Sequence, residues 1–281
     1  MRILGIIALA AASLALLGAA PAAQAGEDAV ARGGYLVNAV MICGRCHTIP
    51  GPSAKPFAGG RMIETPAYTV QGSNITPDKA TGIGAWSDEA IGRAITHGLR
   101  PDGTRMSASM PYGFYAGLTP ADLAAIIAYL RALPPVSHAV AAPRYAVPPA
   151  PAAAMPQASG TQASGSADDA RIEPGRYLGT LARCLSCHST PGADGEPDLT
   201  TGLGRGGARF EGPWGVVVAP DITPRALAGW SDDAIRRALV EGITPDGRKL
   251  AAPMQAKAYA QLVPGDVDAL IAWLRSLPAE N

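Results

Sequence analysis

The sequence predicts an all-α fold built from two similar domains, and three observations predict it. The chain repeats itself: CGRCHTIPG from Cys43 returns as CLSCHSTPG from Cys184, and WSDEAIGRAI from Trp86 returns as WSDDAIRRAL from Trp230. Inside each copy the apolar residues recur at helical spacing, in Leu123, Ile126, Ile127 and Leu130 and again in Val267, Leu270, Ile271 and Leu274. No segment shows a convincing apolar and polar alternation of the kind a half-buried strand requires.

The elements follow in order along the chain. Residues 1–25 carry an early Arg, an apolar run from Ile3 to Ala20, a break at Pro21, and small residues Ala23 and Ala25 before a cleavage point. They read as a secretory signal peptide, and the mature protein is expected in a bacterial periplasm; the run also approaches the length of a membrane anchor. The first domain is expected over 26–134. A helical stretch, ARGGYLVNAVMIC, leads into its first cysteines. Ser87 then caps a helix with Asp88 and Glu89 in the first turn, and Thr119-Pro120-Ala121-Asp122 supplies an N-cap, a proline at the first helical position and an acid. Residues 135–170, rich in Pro, Ala, Ser and Gly, read as a linker. The second domain, 171–281, repeats the first with EPGRYLGTLARC, Ser231, Asp232 and Asp233.

The register between the copies shifts. The offset is 141 at the cysteines, 147 between NITP at Asn74 and DITP at Asp221, and 144 from Trp86 onward, where roughly half of the residues up to Pro134 are identical. The second copy is thus expected to carry six extra residues near GRGGARFEGPWG. A second mismatch lies ahead of the cysteines: Tyr35 stands eight residues before Cys43, but Tyr177 only seven before Cys184. One extra residue turns a helix by about 100°. A bulge, an altered helix end or a differently placed tyrosine would each absorb it.

Composition narrows the chemistry. Of 281 residues 48% are hydrophobic but only 5% aromatic, with 33 Gly and 26 Pro. So loop-rich a chain has little large side chain with which to fill a core, which suits a non-protein group. Lys plus Arg and Asp plus Glu number 23 each, so no nucleic-acid partner is expected.

In the spacing Cys-x-x-Cys-His, one helical turn sets two thiols and an imidazole on the same side. The thiols can add to two vinyl groups of a haem while the imidazole meets its iron. Cys43, Cys46, Cys184 and Cys187 are therefore expected to attach two haems c covalently, with His47 and His188 as iron ligands. A redox dithiol would follow a βαβ pattern, whereas here the preceding residues are helical. A zinc site would need a fourth, duplicated ligand, and His97 aligns with Glu241 while His138 lies in the linker. The remaining axial ligand should repeat as well. PDGTRMSASM aligns with PDGRKLAAPM, which pairs Met110 with Met254 and Met106 with Leu250. Met110 and Met254 are the expected second ligands, with Met106 as the alternative in the first domain. No catalytic residue is assigned.

CxxCH, NITPD, GIGAWSDEAI, DGTRMSASMPYGFYAGL and YLRALPPV together resemble the repeated domains of class I c-type cytochromes. The likeness is to those that serve as electron-transfer subunits of periplasmic alcohol, aldehyde and gluconate dehydrogenases. The resemblance implies two tandem class I cytochrome c domains, and a dihaem carrier rather than an enzyme. A dehydrogenase would be the electron donor and a cytochrome or terminal oxidase the acceptor, with peripheral membrane association left open. It also implies that the methionine of the MPY segment, Met110, is the distal ligand. Two departures stand out: the second copy reads MQA at that place, and the dehydrogenase subunits typically carry three domains where this chain carries two. The rival reading is a dihaem enzyme: a peroxidase would need an open or displaceable sixth position at one haem, and a thiosulfate-oxidising cytochrome often uses a Cys ligand, whereas all four Cys here are expected in thioether bonds.

Overall fold

The computed structural model describes residues 22–151, 169–193 and 195–279. The expected leader lies outside the described residues apart from 22–25, which begin the first helix, as does the Ser/Gly-rich part of the expected linker.

The first repeat begins with α1 (Ala22–Tyr35), a π-helical turn (Leu36–Val40) and the short α2 (Gly44–His47). The hairpin β1 (Met62–Glu64) and β2 (Tyr68–Gln71) comes next, then α3 (Asp88–His97), the one-turn α4 (Tyr112–Tyr115) and α5 (Pro120–Ala132). A short strand, β3 (Arg144–Tyr145), follows. The second repeat runs through α6 (Asp169–Leu181), α7 (Cys184–His188), the hairpin β4 (Arg209–Gly212) and β5 (Gly215–Val218), α8 (Asp232–Val240), α9 (Ala256–Tyr259) and α10 (Pro264–Ser276).

The expected all-α fold is overturned: helix makes up 38% of the structure, and among the described residues five strands form two antiparallel sheets. β1 pairs with β2 in the register Ile63 opposite Val70, and β4 with β5 in the register Phe210 opposite Val217. These strands run three or four residues; β1, β4 and β5 lie largely exposed, and β2 buries only Val70. Two or three alternating positions with little burial leave too short a pattern for periodicity to register.

The long helices form as their sequences ask. The Ser87 hydroxyl accepts from the Ala90 N–H at 3.1 Å, and Ser231 accepts from Ala234 at 3.2 Å. Thr119 caps α5 by accepting from the Asp122 N–H. In each repeat the first and last helices pack together, α1 on α5 and α6 on α10. They cross at a glycine. A Cβ on Gly33 would lie 1.9 Å from the Ala125 carbonyl oxygen, and one on Gly175 would lie 1.9 Å from that of Ala269. Only a residue without a side chain lets the backbones approach so closely. Arg131 ties α5 to the start of α3 by donating to the Trp86 and Ile83 carbonyls and to Asp88, and Arg275 does the same with Trp230, Leu227 and Asp232.

With Gly33 and Gly175 in matching places, Tyr35 and Tyr177 also match, and the surplus residue falls after them. The π-helical turn absorbs it: each of its turns spends one residue more than an α-helix, so Cys43 regains the orientation of Cys184. The other register shift falls before the hairpin of the second repeat. The Gly59 N–H donates to the His47 carbonyl, and the Gly206 N–H to that of His188. Gly59 and Gly206 are therefore equivalent, and the six-residue insertion lies between His188 and Gly206, ahead of the hairpin and reaching the start of GRGGARFEGPWG.

The first part of the expected linker is bound to the first repeat. β3 pairs with β2, Ala141 N–H donates to Gln71, and Ala146 N–H donates to the Ala67 carbonyl. Buried Asn74 donates to the Val136 carbonyl at 2.8 Å, and His138 donates through Nδ1 to the Ala58 carbonyl at 2.8 Å.

The repeats contact each other in a reciprocal pattern. The π-helical turn of the first packs on α9 of the second, and α4 of the first on α6 of the second. The Tyr35 hydroxyl donates to Asp266 at 2.5 Å, and the Tyr177 hydroxyl donates to Asp122 at 2.7 Å. Burial and these carboxylates push both phenols' pKa values up, so neither ionises near neutrality. The exchange is not perfectly symmetric. Asp122 also receives two hydrogen bonds from the Arg32 guanidinium, at 2.8 and 2.9 Å, whereas the residue matching Arg32 in the second repeat is Pro174.

Candidate functional site

Each Cys-x-x-Cys-His segment forms one helical turn set off by a sharp corner. The residue before the first cysteine adopts left-handed φ in both repeats, 52° at Ile42 and 58° at Arg183. A β-branched residue rarely adopts this conformation; it is held here because the corner turns the chain from the long helix into the Cys-x-x-Cys-His turn. Within the first turn the His47 N–H donates to the Cys43 carbonyl at 3.0 Å, so Cys43, Cys46 and His47 share one helical turn. In the second, Cys184, Cys187 and His188 lie on α7. None of the four cysteines is in a disulfide, and each is half-buried.

Both imidazoles are held by one ring nitrogen. His47 Nδ1 lies 2.7 Å from the Ser73 carbonyl oxygen and His188 Nδ1 2.8 Å from that of Pro220, and Ser73 and Pro220 are equivalent positions. A carbonyl only accepts, so Nδ1 carries the proton and Nε2 keeps its lone pair. Burial lowers the pKa of both histidines, which keeps the rings neutral. The same cause pushes the Cys43 and Cys184 thiols up to about 12. Gly59 and Gly206, at φ 79° and 70°, close the loop behind each histidine; a Cβ at either would lie 2.5 Å from the next segment's backbone.

Met110 and Met254 occupy matching turns, their N–H groups donating to the Ser107 and Ala251 carbonyls. Both are half-buried and pack against the apolar cluster that also takes in Cys43, Cys184, Trp86 and Trp230. Met106 and Leu250 match as well, through bonds to the Gly98 and Gly242 carbonyls, but neither belongs to that cluster. His97 is exposed, with Nδ1 beside the Thr96 hydroxyl, and His138 is half-buried against the loop at Ala58.

Two features escaped the sequence reading. Asn74 and Asp221 each anchor the loop that follows the histidine's carbonyl partner, accepting from the N–H and hydroxyl of Thr76 and Thr223 respectively. The repeated NITP and DITP carried that signal, since a side-chain acceptor two residues before Thr makes such a turn. Arg183, which replaces Ile42, carried none.

A family model for cytochrome c matches residues 30–134. Over 84% of this chain and 82% of its own length, a diheme cytochrome c-type protein of Cereibacter sphaeroides is 32% identical. The chain belongs to the cytochrome c family. Other relatives are longer. The fructose dehydrogenase cytochrome subunit of Gluconobacter japonicus is 32% identical over 92% of this chain but only 54% of its own length. The gluconate 2-dehydrogenase cytochrome c subunit of Pantoea cypripedii is 30% identical over 62% of its length. The chain thus spans about half to three-fifths of these dehydrogenase subunits.

A cytochrome c carries covalently bound haem c. The donor set fits that group: two thiols and an imidazole share a helical turn, and Nδ1 is engaged so that Nε2 is available to iron. Among the described residues no helix is long and apolar enough to cross a membrane.

Proposed function

We propose that the chain binds two haems c and passes single electrons from a dehydrogenase to a respiratory acceptor, a cytochrome or terminal oxidase, in the periplasm. Residues 26–134 and 171–281 are the two haem-bearing domains, and 1–25 the leader. Cys43 and Cys46 attach the first haem, with His47 and Met110 on its iron; Cys184 and Cys187 attach the second, with His188 and Met254. The observation that carries this reading is the matched pair of histidines, each with Nδ1 on an equivalent carbonyl. The dehydrogenase donor is supported by the relatives that are cytochrome subunits of fructose, gluconate and alcohol dehydrogenases.

Bound haem supplies a one-electron couple at its iron. The chain's own residues do the rest. Ser73 and Pro220 carbonyls fix the rings of His47 and His188, and burial keeps those rings neutral. Met110 and Met254 would each offer the iron a thioether as its second protein ligand, which would favour the reduced metal and leave no position for a substrate. Both lie in the apolar cluster, in contrast to Met106.

Haem content and visible spectra test this. The mature protein should hold two haems, and a Cys43→Ala, Cys46→Ala variant one. Both should be low-spin when oxidised, and Met110→Ala and Met254→Ala should each turn one haem high-spin. A single haem in the parent protein, or high-spin haem before any substitution, would contradict the reading.

A further inference from the structure

The two hairpins match residue for residue. Gly59 with Gly206 ahead of them and Asn74 with Asp221 behind them both stand 147 apart, and Ile63 faces Val70 as Phe210 faces Val217. They differ in what lies beyond the second strand. In the first repeat β3 pairs with β2, Thr69 opposite Arg144; the Ala67 carbonyl accepts from the Ala146 N–H, and the Gln71 side chain from the Ala141 N–H. In the second repeat β4 and β5 form a sheet of their own, and among the described residues nothing pairs with the outer edge of β5. The residues change with the cover. Ala67, Thr69 and Gln71 give way to Trp214, Val216 and Val218, which are 42%, 45% and 58% exposed. Alternation along the strand puts Val216 and Val218 on one face, with Trp214 in the turn at its end. β5 also carries neither a charge nor a proline, the usual devices that keep an edge from pairing. An open edge lined by apolar side chains is a template for another strand.

We propose that the outer edge of β5 is where a second copy of this chain docks, the two β5 strands pairing antiparallel about a two-fold axis at Val216 to make one continuous sheet. The match to β2 fixes the register. The Ala67 carbonyl points away from β1, toward Ala146, so the backbone groups of the matching Trp214 point away from β4. In an antiparallel strand that direction alternates, so those of Val216 and Val218 do the same. When outward-pointing residues pair, Val216 stands opposite Val216 of the second copy and Trp214 opposite its Val218. Every exposed apolar side chain of the stripe then meets another, which is the self-complementarity a two-fold interface demands. Arg209 and Glu211 lie opposite Val218 and Val216 on β4, one strand back, so like charges do not meet at the seam. The first repeat shows that this edge accepts a third strand, since β3 occupies it there. The seam is short, so the association is weak and depends on concentration.

Sedimentation equilibrium of the haem-loaded protein tests the proposal. The parent should pass from monomer to dimer with a dissociation constant of about 0.1 mM. A triple variant, Trp214→Ala, Val216→Thr and Val218→Gln, places the residues of the first repeat on the edge of the second. It should raise that constant about tenfold or more with the circular dichroism spectrum unchanged. Val216→Lys sets like charges opposite each other and should do the same, which keeps the test available if the triple variant misfolds. Bonded antiparallel partners stand about 5.5 Å apart at Cα, within the reach of a disulfide. Val216→Cys should therefore cross-link to a dimer when copper–phenanthroline and oxygen take up the electrons of the two thiols. Val147→Cys, exposed on the first repeat, should not. A parent that stays monomeric up to about 1 mM, or that assembles beyond a dimer, would overturn the proposal. So would a dimer that both edge variants leave intact, or cross-linking at Val147 without cross-linking at Val216.

Discussion

Asp122 and Asp266 hold the same place in their repeats, and replacing each by alanine uses one repeat as the control for the other. Asp122 accepts from Arg32 twice and from Tyr177 once, with 12% of its side chain exposed. Asp266 accepts from Tyr35, and proline stands where a second arginine would be. A hydrogen bond to a charged group is worth about 1.5–3 kcal/mol. The Arg32 side chain is 41% exposed, so solvent screening leaves that pair about 1 kcal/mol. Asp266→Ala should then cost about 2 kcal/mol and Asp122→Ala about 3 kcal/mol. At roughly 2–4 °C per kcal/mol for a chain of this size, the two variants should differ by about 3 °C in melting temperature.

Urea unfolding of the haem-loaded protein, followed by far-ultraviolet circular dichroism, measures both variants. In an Arg32→Met background the two costs should become equal. Acid supplies a second check. The hydrogen bonds from Arg32 hold the Asp122 carboxyl below the usual carboxylate range despite its burial. A folded pKa below the unfolded one means that the stabilisation is complete above the unfolded value of about 3.9. It is lost as pH falls through the folded value. The Asp122→Ala deficit should therefore be full at neutral pH and shrink below about pH 4. Equal deficits for the two alanine variants, or an Asp122 deficit that persists unchanged in acid, would refute the asymmetry argued here.

Other outcomes follow from the same geometry. Gly175→Ala places a Cβ 1.9 Å from the Ala269 oxygen, so α6 and α10 must separate; a loss of about 3 kcal/mol in chemical denaturation is expected, against a near-neutral effect at Gly265, whose surroundings are open. Ser87→Ala and Ser231→Ala each remove an N-cap and should cost about 1 kcal/mol in the same assay. Met106→Leu should leave the oxidised visible spectrum unchanged, because Met106 lies outside the cluster that holds Met110; a high-spin signal would transfer the ligand role to Met106. Deleting Ala39 restores the seven-residue spacing of the second repeat, and the first haem should still attach, which intact mass would show.

Much of the site was legible because its chemistry is local. Two cysteines and a histidine on one turn need only i, i+3 and i+4 spacing, and duplication picked out Met110 and Met254 by asking which methionine returns. The helices were legible for a similar reason: Ser87, Ser231 and Thr119 cap through the hydroxyl of the residue that starts each helix. The hairpins were not, since four-residue exposed strands such as Gly215–Val218 are held by cross-strand bonds rather than by a buried face. Nor was the destination of the linker, because Val136, His138 and Arg144 bind through backbone groups that any sequence possesses.

The sequence by itself thus determined the repeat, the two Cys-x-x-Cys-His turns and the candidate iron ligands, all of which depend on residue identity at short spacing. Only the tertiary structure decided how one surplus residue is absorbed, where six more are inserted, and which groups face each other across the repeats. Those outcomes depend on backbone hydrogen bonds between distant segments, Gly59 with His47 and Gly206 with His188 among them. They depend too on side chains that meet only on docking, as Tyr35 meets Asp266 and Tyr177 meets Asp122. Interactions of that kind carry no periodicity along the chain, because the residues that make them lie far apart in it.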